Sequence, residues 1–202
     1  MAPVGIIAPT MLEARIQQHF FDTADQANRA ADMLARPLAD AAQAIVASVT
    51  SGARLWVLGL GPAAPLGPLL VDALASGHER DRPGLPALLL PVPGAARGEI
   101  GPQCARLAAT LGLPGDLLLL IDADGDHPAL QPAAAAAQGR DMNVVAFAGR
   151  AGSALGELLS ESDVWVPLPP QGRAQTLQTL LAALYALCEA IDLELLGDEE
   201  PT

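Results

Sequence analysis

The chain has 202 residues, 51% of them hydrophobic and only 3% aromatic, and carries a formal net charge of −12. That length allows one α/β domain with a helical extension, its core built from Leu, Ala and Val rather than from rings. The acidic balance, without any run of basic residues, argues against direct binding to DNA or to an anionic membrane, which need clustered Lys and Arg.

Residues 1–10 (MAPVGIIAPT) have no period and are expected to form a flexible leader, with Met11 an alternative start. From Met11 the apolar residues Ile16, Phe20, Ala24, Ala27, Ala31 and Leu34 recur at three or four, which predicts a helix. Pro37 is expected to end it, because proline lacks the N–H of the helical ladder. A second helix then runs from Leu38 to Thr50, with Gly52 as its cap.

The stretch Arg54–Ala75 organises the rest. An apolar strand, Leu55–Leu58, meets a turn at Gly59-Leu60-Gly61-Pro62 and continues into a helix from Ala64 to Ala75. Strand, glycine turn and helix open a parallel sheet and place the expected ligand site at the strand's carboxyl end. A loop (His78–Pro86), a strand (Ala87–Val92), a Gly/Pro loop (Pro93–Gln103) and a helix (Gln103–Leu111) follow. The third strand, Leu117–Ile121, is wholly apolar, which predicts a sheet covered on both faces. Beyond the turn Asp122–His127 come a helix (Pro128–Gln138), a strand (Met142–Ala148), a helix (Gly152–Ser160) and a strand (Asp163–Pro167). The last helix, Ala174–Leu196, is apolar on nearly every side, so partner subunits are expected to cover part of it. Cys104 and Cys188 have no metal or redox spacing and read as small buried hydrophobes. With neither a signal peptide nor a span-length apolar run, the expected location is cytoplasmic.

Several segments, in this order, carry a resemblance: MLEARIQQHF, RPGLPALLL, LPGDLLLLI, RDMNVVAFAGRAG, SDVWVPLPP and ALCEAIDLELLG. Together they resemble the SIS (sugar isomerase) domain family, its phosphoheptose isomerase group, and within it the DiaA-like members that associate with the replication initiator DnaA. The resemblance implies a three-layer α/β/α sandwich with a five-stranded parallel sheet, flavodoxin-like in layout. Residues 11–202 form the single domain: N-terminal helices over 11–51, the α/β core over 52–170 and the C-terminal helix over 171–196. It further implies a homotetramer whose terminal helices form the oligomer core.

Against the isomerase pattern, the first turn keeps Gly59 and Gly61 but has Leu60 and Ala63 where the group has Asn and Ser. Neither can donate a side-chain hydrogen bond. In the second turn Asp122, Asp124 and His127 stand in place of hydroxyls, and carboxylates about 4 Å from a phosphate repel it by about 4 kcal/mol at an effective dielectric near 20. The group's glutamate falls at Ala73, and its later Gln and His at Leu177 and Leu180. Asp72 is adjacent, but one residue turns a helix by about 100°, so it is expected to point elsewhere. The Pro93–Gln103 loop is also shorter than in the isomerases. The expected function is therefore a non-catalytic adaptor that binds the DnaA N-terminal domain, with Leu195 and Leu196 as an assembly or partner patch. No cofactor and no metal are expected. The alternatives are a phosphoheptose isomerase acting on sedoheptulose 7-phosphate, or a sensor of a carbohydrate derivative. GLGPAA is half a dinucleotide fingerprint, but its third glycine is Ala64, and a calcium loop from Asp122 would end at Ala133 rather than Glu. His127 reads as a helix cap or a solvent contact rather than a metal ligand with Asp122, and His19 and His78 as exposed.

Overall fold

The computed structural model describes residues 10–90, 99–149 and 154–198. Residues 1–9 of the expected leader, most of the Gly/Pro loop and the start of the expected 152–160 helix lie outside the described residues.

The first element is one helix, α1 (Met11–Thr50), and not two. Thr10 caps it: its hydroxyl accepts from the Glu13 N–H while the Glu13 carboxylate accepts from the Thr10 N–H. Pro37 sits inside it, correcting the expected break. Leu34, Leu38, Ala41, Ala42 and Ile45 form one buried stripe that crosses Pro37 without a change of phase. Each buried leucine or isoleucine gives about 1.5–3 kcal/mol, which together exceed the roughly 3 kcal/mol that an interior proline costs.

Five parallel strands follow: β1 (Leu55–Leu60), β2 (Ala87–Leu89), β3 (Leu117–Asp122), β4 (Asn143–Ala148) and β5 (Val164–Val166), in the order β2-β1-β3-β4-β5. Between them run α2 (Leu66–Ser76), α3 (Ile100–Leu111), α4 (Leu130–Gln138) and α5 (Ala154–Leu158), and α6 (Arg173–Leu196) closes the chain. The three-layer α/β/α sandwich of the sequence reading is present. Its layers follow from the strands' period of two. Leu55, Val57, Leu117, Leu119, Val145 and Phe147 join the core under α1, α2 and α6. Trp56, Leu58, Leu118, Leu120, Val144 and Ala146 join the core under α3, α4 and α5. Among the described residues no helix is long and apolar enough to cross a membrane.

Beneath the sheet's amino edge, Asp116 is 1% exposed. Its carboxylate accepts from the Arg54 N–H at 2.9 Å, the Arg54 guanidinium at 2.8 Å, Trp56 Nε1 at 2.9 Å and the Leu113 N–H at 3.1 Å. Burial pushes this acid up, but hydrogen bonds from Trp56, Arg54 and Leu113 outweigh it and hold it below the usual carboxylate range. The folded state therefore binds this proton less readily than the unfolded chain. Its stabilisation is complete above the unfolded value of about 4 and is lost as pH falls through the lower folded value. Asp116→Ala is expected to cost about 2–4 kcal/mol in urea unfolding at pH 7, because it strands the buried indole N–H and the Arg54 contacts. The variant should also show a smaller loss of stability below pH 4 than the parent. Burial pushes the Cys104 thiol up to about 11 and, with Asp192 nearby, the Cys188 thiol up to about 12, so both remain protonated, apolar fillers.

Candidate functional site

The chain leaves the sheet's centre through two turns at its carboxyl edge, where β1 and β3 lie side by side and Leu60 pairs with Asp122. The first turn needs its glycines. A side chain on Gly59 would stand 2.8 Å from the Ala63 carbonyl oxygen, and Gly61 has φ +51°. Pro62 and Pro65 delay the helix. A 3₁₀ turn (Gly61–Ala63) comes first, and α2 begins at Leu66 rather than Ala64. Leu60 is buried in the core beneath α3 and α4, and Ala63 in the core beneath α1 and α6. Both residues thus serve packing and not a ligand.

The second turn differs from its expected electrostatics. Asp122 is 1% exposed, and its carboxylate accepts from the Asp124 N–H at 3.3 Å and the His127 N–H at 3.0 Å. It is folded into its own turn instead of facing a ligand. Asp124 pairs with Arg173 at 3.6 Å. Asp122 thus spends its oxygens on its own turn, and Asp124 has a cationic partner. His127 is buried, and its Nδ1 accepts from the Ala129 N–H at 3.2 Å, which caps the approach to α4. A cavity of about 330 Å³ opens beside this turn, lined by Asp124, Gly149, Gln171, Arg173 and Thr176 among others. Arg173 opens α6, whose first N–H groups favour an anion.

Of the three positions that the resemblance assigns to acid–base chemistry, Leu180 is fully buried and Leu177 packs half-buried against the same core. Ala73 lines a second cavity, of about 510 Å³, together with Asp72, Ser76, His78, Glu79, Tyr185 and Glu189. Asp72 therefore does not point away, as expected, but shares the cavity with Ala73. The cavity lies over the groove between α2 and α6 and is wide enough to take in neighbouring positions of one helix. His78 is half-buried rather than exposed, and its ring stacks on Tyr185 with centroids 4.9 Å apart and planes 14° from parallel. Sequence reading missed Tyr185, His78 and Glu189 because only the packing of α2 against α6 joins them.

A buried ion pair ties α6 to the loop after α2, where the sequence reading left Arg82. Arg82 and Asp192 have side chains 1% and 2% exposed and meet in a short contact, and Arg82 also donates to the Leu74 carbonyl at 2.9 Å. At the chain's end the expected Leu195–Leu196 patch is divided. Leu195 packs on the core, while Leu196 is exposed with Leu193.

The comparisons with known proteins agree with this architecture. A family model described as SIS domain matches residues 19–149. A phosphoheptose isomerase of Methylibium petroleiphilum is 37% identical over 198 residues, covering 95% of this chain and 99% of that protein. One of Thiobacillus denitrificans is 33% identical over 195 residues, covering 94% and 99%. Among solved structures, a phosphoheptose isomerase from Francisella tularensis superposes with a TM-score of 0.79 at 27% identity, over 91% of this chain and 99% of that one. The Neisseria gonorrhoeae enzyme, at 24% identity and a TM-score of 0.78 over 90% and 99%, shares the fold. These relatives overturn the expectation of a non-catalytic chain, since proteins matched almost end to end carry the name of an isomerase. They lend no support to the initiator-binding role. The expectation rested on the motif positions and on Asp72 pointing elsewhere, whereas Asp72 lines the cavity beside α2 together with Ala73.

Proposed function

The chain belongs to the SIS-domain family, and we propose from that premise that it isomerises a phosphorylated sugar, with sedoheptulose 7-phosphate the first substrate to test. Aldose–ketose isomerisation moves a proton between adjacent carbons and needs a positioned base. In this reading Asp72 is that base. The observation that carries the assignment is its place in the same cavity as Ala73, the position to which the resemblance assigns the glutamate. Arg173 and the first N–H groups of α6 hold the phosphate.

In this reading the two halves belong to different copies: Arg173 and Tyr185 are twelve positions apart on α6, about 18 Å along its axis at 1.5 Å per residue. A complete site then draws its acid–base half and its phosphate half from different copies, which agrees with a homotetramer. The amino-terminal half of α1 fits that assembly: Leu12, Phe20 and Phe21 are 70%, 68% and 64% exposed. A groove of about 350 Å³, lined by Ala27, Ala31, Leu34, Ala182 and Ala186 among others, continues between α1 and α6. Sedimentation velocity is expected to show a tetramer, and a monomer at micromolar concentration would sink the shared site. The activity is tested by incubating the full chain with sedoheptulose 7-phosphate and following the aldose product. Turnover is expected, and its absence would overturn the isomerase reading.

A further inference from the structure

Resting on the isomerase reading, we infer that His78 is the second proton carrier of the reaction and that Tyr185 is its positioning residue. Moving the carbonyl between adjacent carbons takes two proton transfers besides those at carbon. In the ketose-to-aldose direction the base takes a proton from C1 while the C2 carbonyl oxygen gains one, giving a neutral enediol. The C1 hydroxyl then gives up its proton as the base returns its own to C2. Bonds and protons balance with no oxidant or reductant. The oxygen-to-oxygen transfer suits a group that both gives and takes a proton in neutral water, and imidazole does so.

Among the described residues the one imidazole lining this cavity is that of His78, in the segment just after the carboxyl end of α2, and the helix itself carries Asp72. The ring lies flat on Tyr185 of α6, a stacking that fixes its plane where it lines the cavity. The charged and titratable groups around it are Asp72 from α2, Glu79 from its own loop, and Tyr185 and Glu189 from α6. Ser76 completes the polar wall, its hydroxyl donating to the Asp72 carbonyl at 2.6 Å.

The experiment compares the full-length wild-type chain with H78Q, H78N, Y185A and Y185F by turnover of sedoheptulose 7-phosphate from pH 5 to 9, with circular dichroism to confirm folding. H78Q and H78N are expected to lower kcat about 100-fold or more, with KM changed less than threefold, and to remove one limb of the pH profile. Y185A should lower kcat, and Y185F, which keeps the ring, should restore most of that loss. Turnover that survives H78Q and H78N with both limbs intact overturns the relay and leaves the isomerase reading standing. No turnover by the wild-type chain overturns both.

Discussion

Asp72→Asn is expected to lower kcat for sedoheptulose 7-phosphate by about 100- to 10,000-fold, the range that a positioned general base supplies. The substitution keeps the side chain's shape and removes only its capacity to take a proton. Asp72 is exposed on α2, and its side chain lies outside the buried core of that helix, Gly67, Leu70 and Leu74. Stability should therefore change by no more than about 0.5 kcal/mol, so lost turnover reports chemistry and not unfolding. A companion variant sharpens the test. Ala73→Glu in the D72N background sets a carboxylate where the resemblance places one, in the same cavity. It should recover at least tenfold of the lost rate. A D72N variant as active as the parent would remove Asp72 from the reaction, and a silent A73E would remove the cavity.

The largest effect on stability is expected from Asp192→Ala. Both partners of the Arg82–Asp192 pair are almost wholly buried, and Arg82 joins the loop after α2 to the carboxyl-terminal part of α6. Taking away the carboxylate leaves a guanidinium charge in the core that neither water nor another acid reaches, at a cost of about 3–5 kcal/mol. For a domain whose whole stability is of the order of 5–15 kcal/mol, that moves the urea midpoint far down. The paired apolar variant R82M/D192L removes both charges and should recover most of the loss, because the penalty comes from the unmatched charge rather than from the pair. If D192A and the double variant are equally unstable, packing rather than charge governs this site.

The order of elements could be read directly from residue pattern. Wholly apolar strands such as Leu117–Ile121, separated by glycine turns and three-to-four periodic helices, leave little choice but a parallel sheet covered on both sides. Where local rules misled, packing was stronger. Pro37 opposes a helix with about 3 kcal/mol, yet the stripe from Leu34 to Ile45 on either side of it is buried as one unit. Asp122 reads as a charge facing a ligand, but two backbone N–H groups of its own turn take up its oxygens. Side-chain direction in a tight turn depends on which donors the backbone presents, and residue type does not specify that.

The site shows the same division more sharply. By itself the sequence determined the sheet, its carboxyl-edge turns and the family, because those depend on apolar spacing and glycine, which act over a few residues. It also placed Ala73 on α2, the helix after the first glycine turn. Only the tertiary structure decided that Asp72, His78, Tyr185 and Glu189 share one cavity, that Arg82 and Asp192 are partners, and that Asp124 is matched by Arg173. Each of these joins segments distant in the chain. A charge or a ring acquires its chemistry from what is packed against it, and nothing in the residues nearby in sequence records that neighbour.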